Sequence, residues 1–89
     1  MKQQPKSLAE FIEEQQEIAG ESLLLCRVGD FYELFDEQAV VAPRVLGLPL
    51  TARGERKMAG FPYHSLHAYQ DKLEASGHSV RVVHYKPFG

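Results

Sequence analysis

The chain has 89 residues, 44% of them hydrophobic and 25% charged, and a formal net charge of −2, which limits it to one domain with one modest core. This balance excludes a disordered charged tail and a broadly cationic nucleic-acid coat, so any contact with nucleic acid has to come from a local patch. One cysteine cannot build a disulfide framework and fits a reducing, cytoplasmic setting, and the longest apolar run, Leu23 to Cys26, is too short to span a membrane.

The polar stretch 1–7, with Pro5, reads as a flexible lead-in to a single domain over 8–89. Ser7 and Glu10 have the spacing of a capping box. Leu8, Phe11, Ile12, Gln15, Ile18 and Ala19 then fall on one helical stripe, and Gly20 stops it, which predicts a helix over 8–19. Leu23 to Val28 is short and apolar, as a buried strand is. Gly29-Asp30 is a two-residue hairpin signal, and Phe31 to Phe35 is the return strand. Asp36 is placed to cap a short helix through Val41, with a kink or early stop at Pro43. Leu48 to Thr51 reads as a short strand at an edge because of Pro49. Thr51 to Lys57 reads as a loop, and Met58 to Phe61 as a weak strand. Pro62 is suited to opening a helix whose stripe is Leu66, Tyr69, Gln70 and Leu73. Gly77 ends that helix, and Val80 to Tyr85 forms the last strand. This alternation predicts an α/β (α+β) fold, a small mixed β-sheet flanked by about three helices.

The sharpest chemical feature is in the second strand. Side chains alternate across a strand, so Phe31 and Glu33 share one face and offer a ring and a hydrogen-bond acceptor to one ligand. The plain alternative is that Phe31 belongs to the core and Glu33 is solvated. Arg53, Arg56 and Lys57 stand against a single acid, Glu55, in the densest positive stretch of the chain. They are candidates for phosphate contacts or, in the plainer reading, an ordinary solvated loop. His64 and His67 have ligand-compatible spacing, but no nearby Cys or acid completes a metal set. Cys26 reads as an inert buried thiol.

Three blocks carry a resemblance. Arg27-Val28-Gly29-Asp30-Phe31-Tyr32-Glu33-Leu34-Phe35, Leu48-Pro49-Leu50-Thr51-Ala52-Arg53-Gly54 and Met58-Ala59-Gly60-Phe61-Pro62-Tyr63-His64 resemble, in this order, the start of the MutS family of DNA mismatch repair proteins. The resemblance runs from about Leu8 to Val83 and implies the N-terminal mismatch-recognition domain, domain I. It implies that Phe31 stacks on a mispaired or unpaired base from the minor groove and that Glu33 hydrogen-bonds to that base. An apolar wedge has to unstack a base step, and the cost is least where pairing is already damaged.

The partner so implied is double-stranded DNA carrying a mispair, bound weakly and with strong salt dependence, and nucleoid association follows when DNA is held. The family's ATPase, with its ATP and Mg, lies outside the matching stretch. No Gly-x4-Gly-Lys-Ser/Thr motif occurs, so neither catalysis nor a cofactor is expected of this chain. The chain departs from the family in ending early for domain I, in Pro43, in a short loop after Gly54 and in His84-Tyr85, where the family usually has an acidic-amide pair. The rival expectation is a protein-interaction or decoy module that acts on a repair protein through a free sheet edge at Val80–Tyr85.

Overall fold

In the computed structural model, which describes residues 6–87, the first helix, α1 (Leu8–Ala19), begins at the expected capping box. The Glu10 amide donates to Ser7 Oγ at 3.1 Å and the Ser7 amide donates to Glu10 Oε1 at 3.3 Å. Residues 1–5 of the expected lead-in lie outside the described residues. Lys6 and Ser7 are tied down, since Tyr85 Oη donates to the Lys6 carbonyl at 2.7 Å and Lys6 pairs with Glu14.

Strands β1 (Leu23–Val28) and β2 (Phe31–Phe35) form the expected hairpin. Its two-residue turn puts Gly29 at φ 60°, the left-handed region where a side chain is strained. A single 3-10 turn (Asp36–Val40) and a π-helical turn (Ala42–Leu46) follow. Asp36 is not a helix cap as expected. Its own φ is 60°, and its carboxylate accepts from Arg56 and Gln16 instead. The helical path continues past Pro43, which falls in the first turn of the π segment, where its missing N–H leaves no bond unmade.

The next two strands correct the sequence reading. Leu48 to Leu50 is not in a strand, and 51–57 is not a loop. Instead β3 (Thr51–Arg53) and β4 (Arg56–Pro62) form a second hairpin around Gly54-Glu55. Pro62 closes β4. A 3-10 turn (Tyr63–Ser65) then leads into α2 (Leu66–Ala75), and β5 (Val80–His84) completes the sheet. The five strands run in the order β3-β4-β2-β1-β5, with only β5 parallel to its neighbour. This is the mixed sheet with helices on its faces that the pattern predicts.

The two faces of the sheet have separate cores. On one, Leu23, Leu25, Tyr32, Leu34, Ala59 and Phe61 pack against the two helical turns and Leu73 of α2. Phe61 and Tyr69 stack there with centroids 4.5 Å apart. On the other, Cys26 and Phe35 pack against Ile12, Leu8 and Phe11 of α1. The apolar stripe of α1 serves this core only along its first half, and Ile18 is exposed. Gln38 fills a gap in the backbone pairing. Its side chain accepts from the Leu24 amide and donates to the Ser22 carbonyl, both at 2.9 Å.

Candidate functional site

Alternation along β2 puts Phe31, Glu33 and Phe35 on the α1 side of the sheet. Their cross-strand partners share that side: Val28 and Cys26 on β1, and Pro62, Gly60 and Met58 on β4. Helix α1 covers the Phe35 and Cys26 end. At the other end lies a cleft of about 320 Å³, lined by Val28, Phe31, Glu33, Pro49, Thr51, Arg53, Met58 and Gly60.

Phe31 and Glu33 both line this cleft, but they are not jointly presented to solvent as expected. The Phe31 side stands 49% exposed, whereas Glu33 is only 3% exposed. Glu33 is not a solvated surface acid either, and Phe31 is not a core residue. Two features put Glu33 at the floor. Opposite it on β4 is Gly60, where a Cβ would sit 2.9 Å from the Tyr32 carbonyl oxygen and 3.2 Å from Glu33 Cγ. The missing side chain gives the carboxylate its space. The β3–β4 hairpin then brings Arg53 across, and Arg53 Nη2 donates to Glu33 Oε1 at 2.9 Å and Oε2 at 3.4 Å.

A buried carboxylate needs such a partner. Burial pushes the Glu33 carboxyl above the ordinary glutamate range, and the Arg53 charge and its hydrogen bond oppose that rise without cancelling it. Cys26, directly across the ladder from Glu33, is buried and free. Burial first, and the nearby Glu33 charge second, push its thiol up to about 11. The expected burial of this thiol is what the geometry shows.

The three basic residues singled out as phosphate contacts are all engaged within the fold. Arg53 meets Glu33, Arg56 Nε donates to Asp36 Oδ1 at 3.1 Å, and Lys57 Nζ donates to Glu37 Oε1 at 2.9 Å. Glu13 of α1 lies 3.8 Å from Arg56 as well. Read alone, the Thr51 to Lys57 stretch looks like a positive patch. In the fold, acids twenty positions upstream compensate each cation. Arg53 is half-exposed and still lines the cleft, so it touches both the floor and the opening. His64 sits on the 3-10 turn beside Ser65, at 3.5 Å, and the Tyr63 ring. Among the described residues, no three His, Cys, Asp or Glu side chains gather as a metal site.

Residues 7–86 match the family described as MutS domain I. The chain belongs to the MutS domain I family. Among curated relatives, it is 53% identical over 64 residues to the DNA mismatch repair protein MutS of Anaplasma phagocytophilum, covering 71% of this chain and 8% of that protein. Against the MutS proteins of Cytophaga hutchinsonii and Thermotoga petrophila, identity is 52% over 66 residues and 47% over 62 residues. Those matches cover 68% and 70% of this chain and 8% of each relative. The chain thus spans under a tenth of the length of these relatives, and the part it shares with them is the domain I part.

Proposed function

We propose that this chain binds mispaired or distorted duplex DNA and does so without catalysis. Phe31 stacks on an exposed base from the minor groove, and Glu33 exchanges a hydrogen bond with that base. The observation that carries this reading is the pairing of a half-exposed ring with a buried carboxylate in one cleft of a MutS domain I fold. An aromatic face accepts any base, so Phe31 supplies contact and tests how easily the step opens. An ionised carboxylate near phosphates is repelled and gives no general affinity. Glu33 helps where a base offers a donor, and because burial raises its pKa it can also take up a proton and donate. Arg53 keeps Glu33 in place in the free protein and stands where a phosphate or base edge can displace it. With a net charge of −2, binding is weak and depends strongly on salt. The setting consistent with this reading is the cytoplasm, on the nucleoid when DNA is bound.

Fluorescence anisotropy with matched and singly mispaired duplexes tests the reading. The parent chain is expected to favour the mispaired duplex. Phe31→Ala is expected to lose about 1–3 kcal/mol of stacking, or about 5- to 150-fold in affinity for it. Equal affinity for the two duplexes, or a Phe31→Ala variant that binds like the parent, would refute it.

One observation favours a second reading. Strand β5 is an edge of the sheet, hydrogen-bonded to β1 alone among the described strands. An extended segment of a repair protein could add to that edge. Sedimentation of the chain with a purified full-length MutS protein, free of DNA, checks this. A single unbound species would end it.

A further inference from the structure

We propose that a second cleft, on the opposite face of the sheet from Glu33, is a phosphate site. Its occupant, if the DNA-binding reading above holds, is the backbone beside the base met by Phe31.

This cleft, of about 420 Å³, is lined by Arg27, Gly29, His84, Tyr85 and Lys86. Three of the five carry or can carry positive charge, and none is an acid. Arg27 and His84 are direct register partners across β1 and β5, so they stand side by side on one face. Each is held by a neutral group. Arg27 Nε donates to the Gly29 carbonyl at 3.0 Å, and its guanidinium lies 4.1 Å from the centroid of the Tyr63 ring. Among the described residues, the two terminal nitrogens of Arg27 make no hydrogen bond. His84 Nε2 shares a 3.0 Å hydrogen bond with Tyr32 Oη, which leaves its second ring nitrogen for a ligand. Tyr85 anchors the end of β5, its amide donating to the Arg27 carbonyl at 2.9 Å, and this fixes the start of the Lys86 segment at the cleft.

Charge separates this cleft from the one expected to meet phosphate. Arg53, Arg56 and Lys57 all pair with carboxylates. Among the described residues, none of Arg27, His84 and Lys86 does. Asp30, the acid of the hairpin turn, does not line the cleft. An arginine fork, an imidazole and a lysine, converging with no acid between them, suit a phosphate. The site also lies at the Phe31 end of the sheet, since Arg27 pairs with Tyr32 and Val28 with Phe31. Strand β5 is two positions from β2 in the sheet order. At the usual strand spacing that is about 10 Å, close to three base-pair rises of about 3.4 Å. A duplex that approaches the hairpin end of the sheet, which both features share, meets the ring on one face and this cleft on the other.

Two measurements on the full chain test the proposal. In the first, inorganic phosphate is titrated into the nitrogen-15-labelled chain. Saturable shifts at the amides of Arg27, Gly29 and Tyr85 are expected, and these shifts are expected to vanish in the Arg27→Gln/Lys86→Ala double variant. Shifts spread over other surfaces, or unchanged in the variant, would overturn the site. Because Arg27 also packs on Tyr63, the single variant Lys86→Ala, at an exposed position, serves where the double variant does not fold. In the second, duplex affinity is followed against salt. Losing Lys86 is expected to lower the slope of log K against log salt by about 1 while the ratio of mispaired to matched affinity stays the same. Phe31→Ala is expected to do the reverse, keeping the slope and losing the ratio. An unchanged slope in Lys86→Ala removes the DNA backbone as occupant. Phosphate shifts at the cleft in a chain that binds no duplex support the phosphate site and sink the DNA reading instead.

Discussion

Replacing Arg53 by Gln strands the Glu33 carboxylate at the floor of its cleft. Glu33 is 3% exposed, and the nearest nitrogen of Arg53 is 2.9 Å from it. Two unit charges about 4 Å apart interact by about 4 kcal/mol at an effective dielectric constant of about 20, but by only about 1 kcal/mol in water. The Arg53 side chain is 49% exposed, so solvent screens its half of the pair. An intermediate loss of about 2 kcal/mol follows, a fall in melting temperature of about 10 °C for a domain this small. The pH dependence gives the mechanism away. Burial raises the folded pKa of Glu33 above its unfolded value. Such a group contributes its full stability below the unfolded pKa and loses it as pH rises through the folded one. Without Arg53 the folded pKa climbs further, so the gap between variant and parent opens with rising pH. It should be smallest below the unfolded pKa of a glutamate and largest above the raised folded one, with Glu33 the group that titrates. Urea unfolding at several pH values measures this. Glu33→Gln is the control, because in that background Arg53→Gln should cost only a few tenths of a kcal/mol. A loss that is independent of pH, or as large beside Gln as beside Glu, would falsify the claim that a buried charge is what Arg53 serves.

Gly60→Ala should destabilise the chain by about 1–3 kcal/mol in urea unfolding, because the new methyl meets the rigid Tyr32 carbonyl at 2.9 Å; an unchanged midpoint would show that β2 and β4 move apart freely. The Cys26 thiol, buried and pushed up to about 11, should resist a thiol-exchange reagent near neutral pH in the native chain and react at once in urea. Fast native labelling would mean that α1 lifts off its core. Ser7→Ala should cost about 1 kcal/mol by removing the cap of α1, read as a lower urea midpoint with the slope unchanged.

What the sequence revealed and what it concealed divide along the range of the forces involved. Helix α1 and the β1–β2 hairpin are legible because Ser7, Glu10 and Gly29 act within a few residues of themselves. The shared face of Phe31 and Glu33 is legible for the same reason, since alternation is a property of the strand alone. Burial of Glu33 is not. It depends on Gly60 across one ladder and Arg53 across the next, and nothing at positions 31–35 announces either. The third strand was displaced because Leu48 to Leu50 has the apolar look of a strand while the actual pairing, Thr51 with Met58, is chosen by β4. The positive look of Arg53, Arg56 and Lys57 is a local impression too. Each pairs with an acid twenty positions earlier, one on β2 and two on the 3-10 turn that follows it, and only the folded arrangement of the two hairpins brings these groups together. The exposure of Ile18 follows from how little of α1 the sheet covers, a matter of docking that helical periodicity does not contain.

Strand β1 receives its last partner very late. Its most apolar residues, Leu23 to Cys26, are paired on the outer side by Val80 to Val83, which follow both hairpins and α2 in the chain. During synthesis that side of β1 waits, with unpaired backbone and greasy neighbours, until Val80 to Val83 have left the ribosome. Gln38 satisfies the Leu24 amide and the Ser22 carbonyl on the opposite side of the strand, past the reach of β2, and leaves the side that awaits β5 open. That side stays vulnerable to sticking, and chaperone demand should track the translation of β5 more than that of the hairpins.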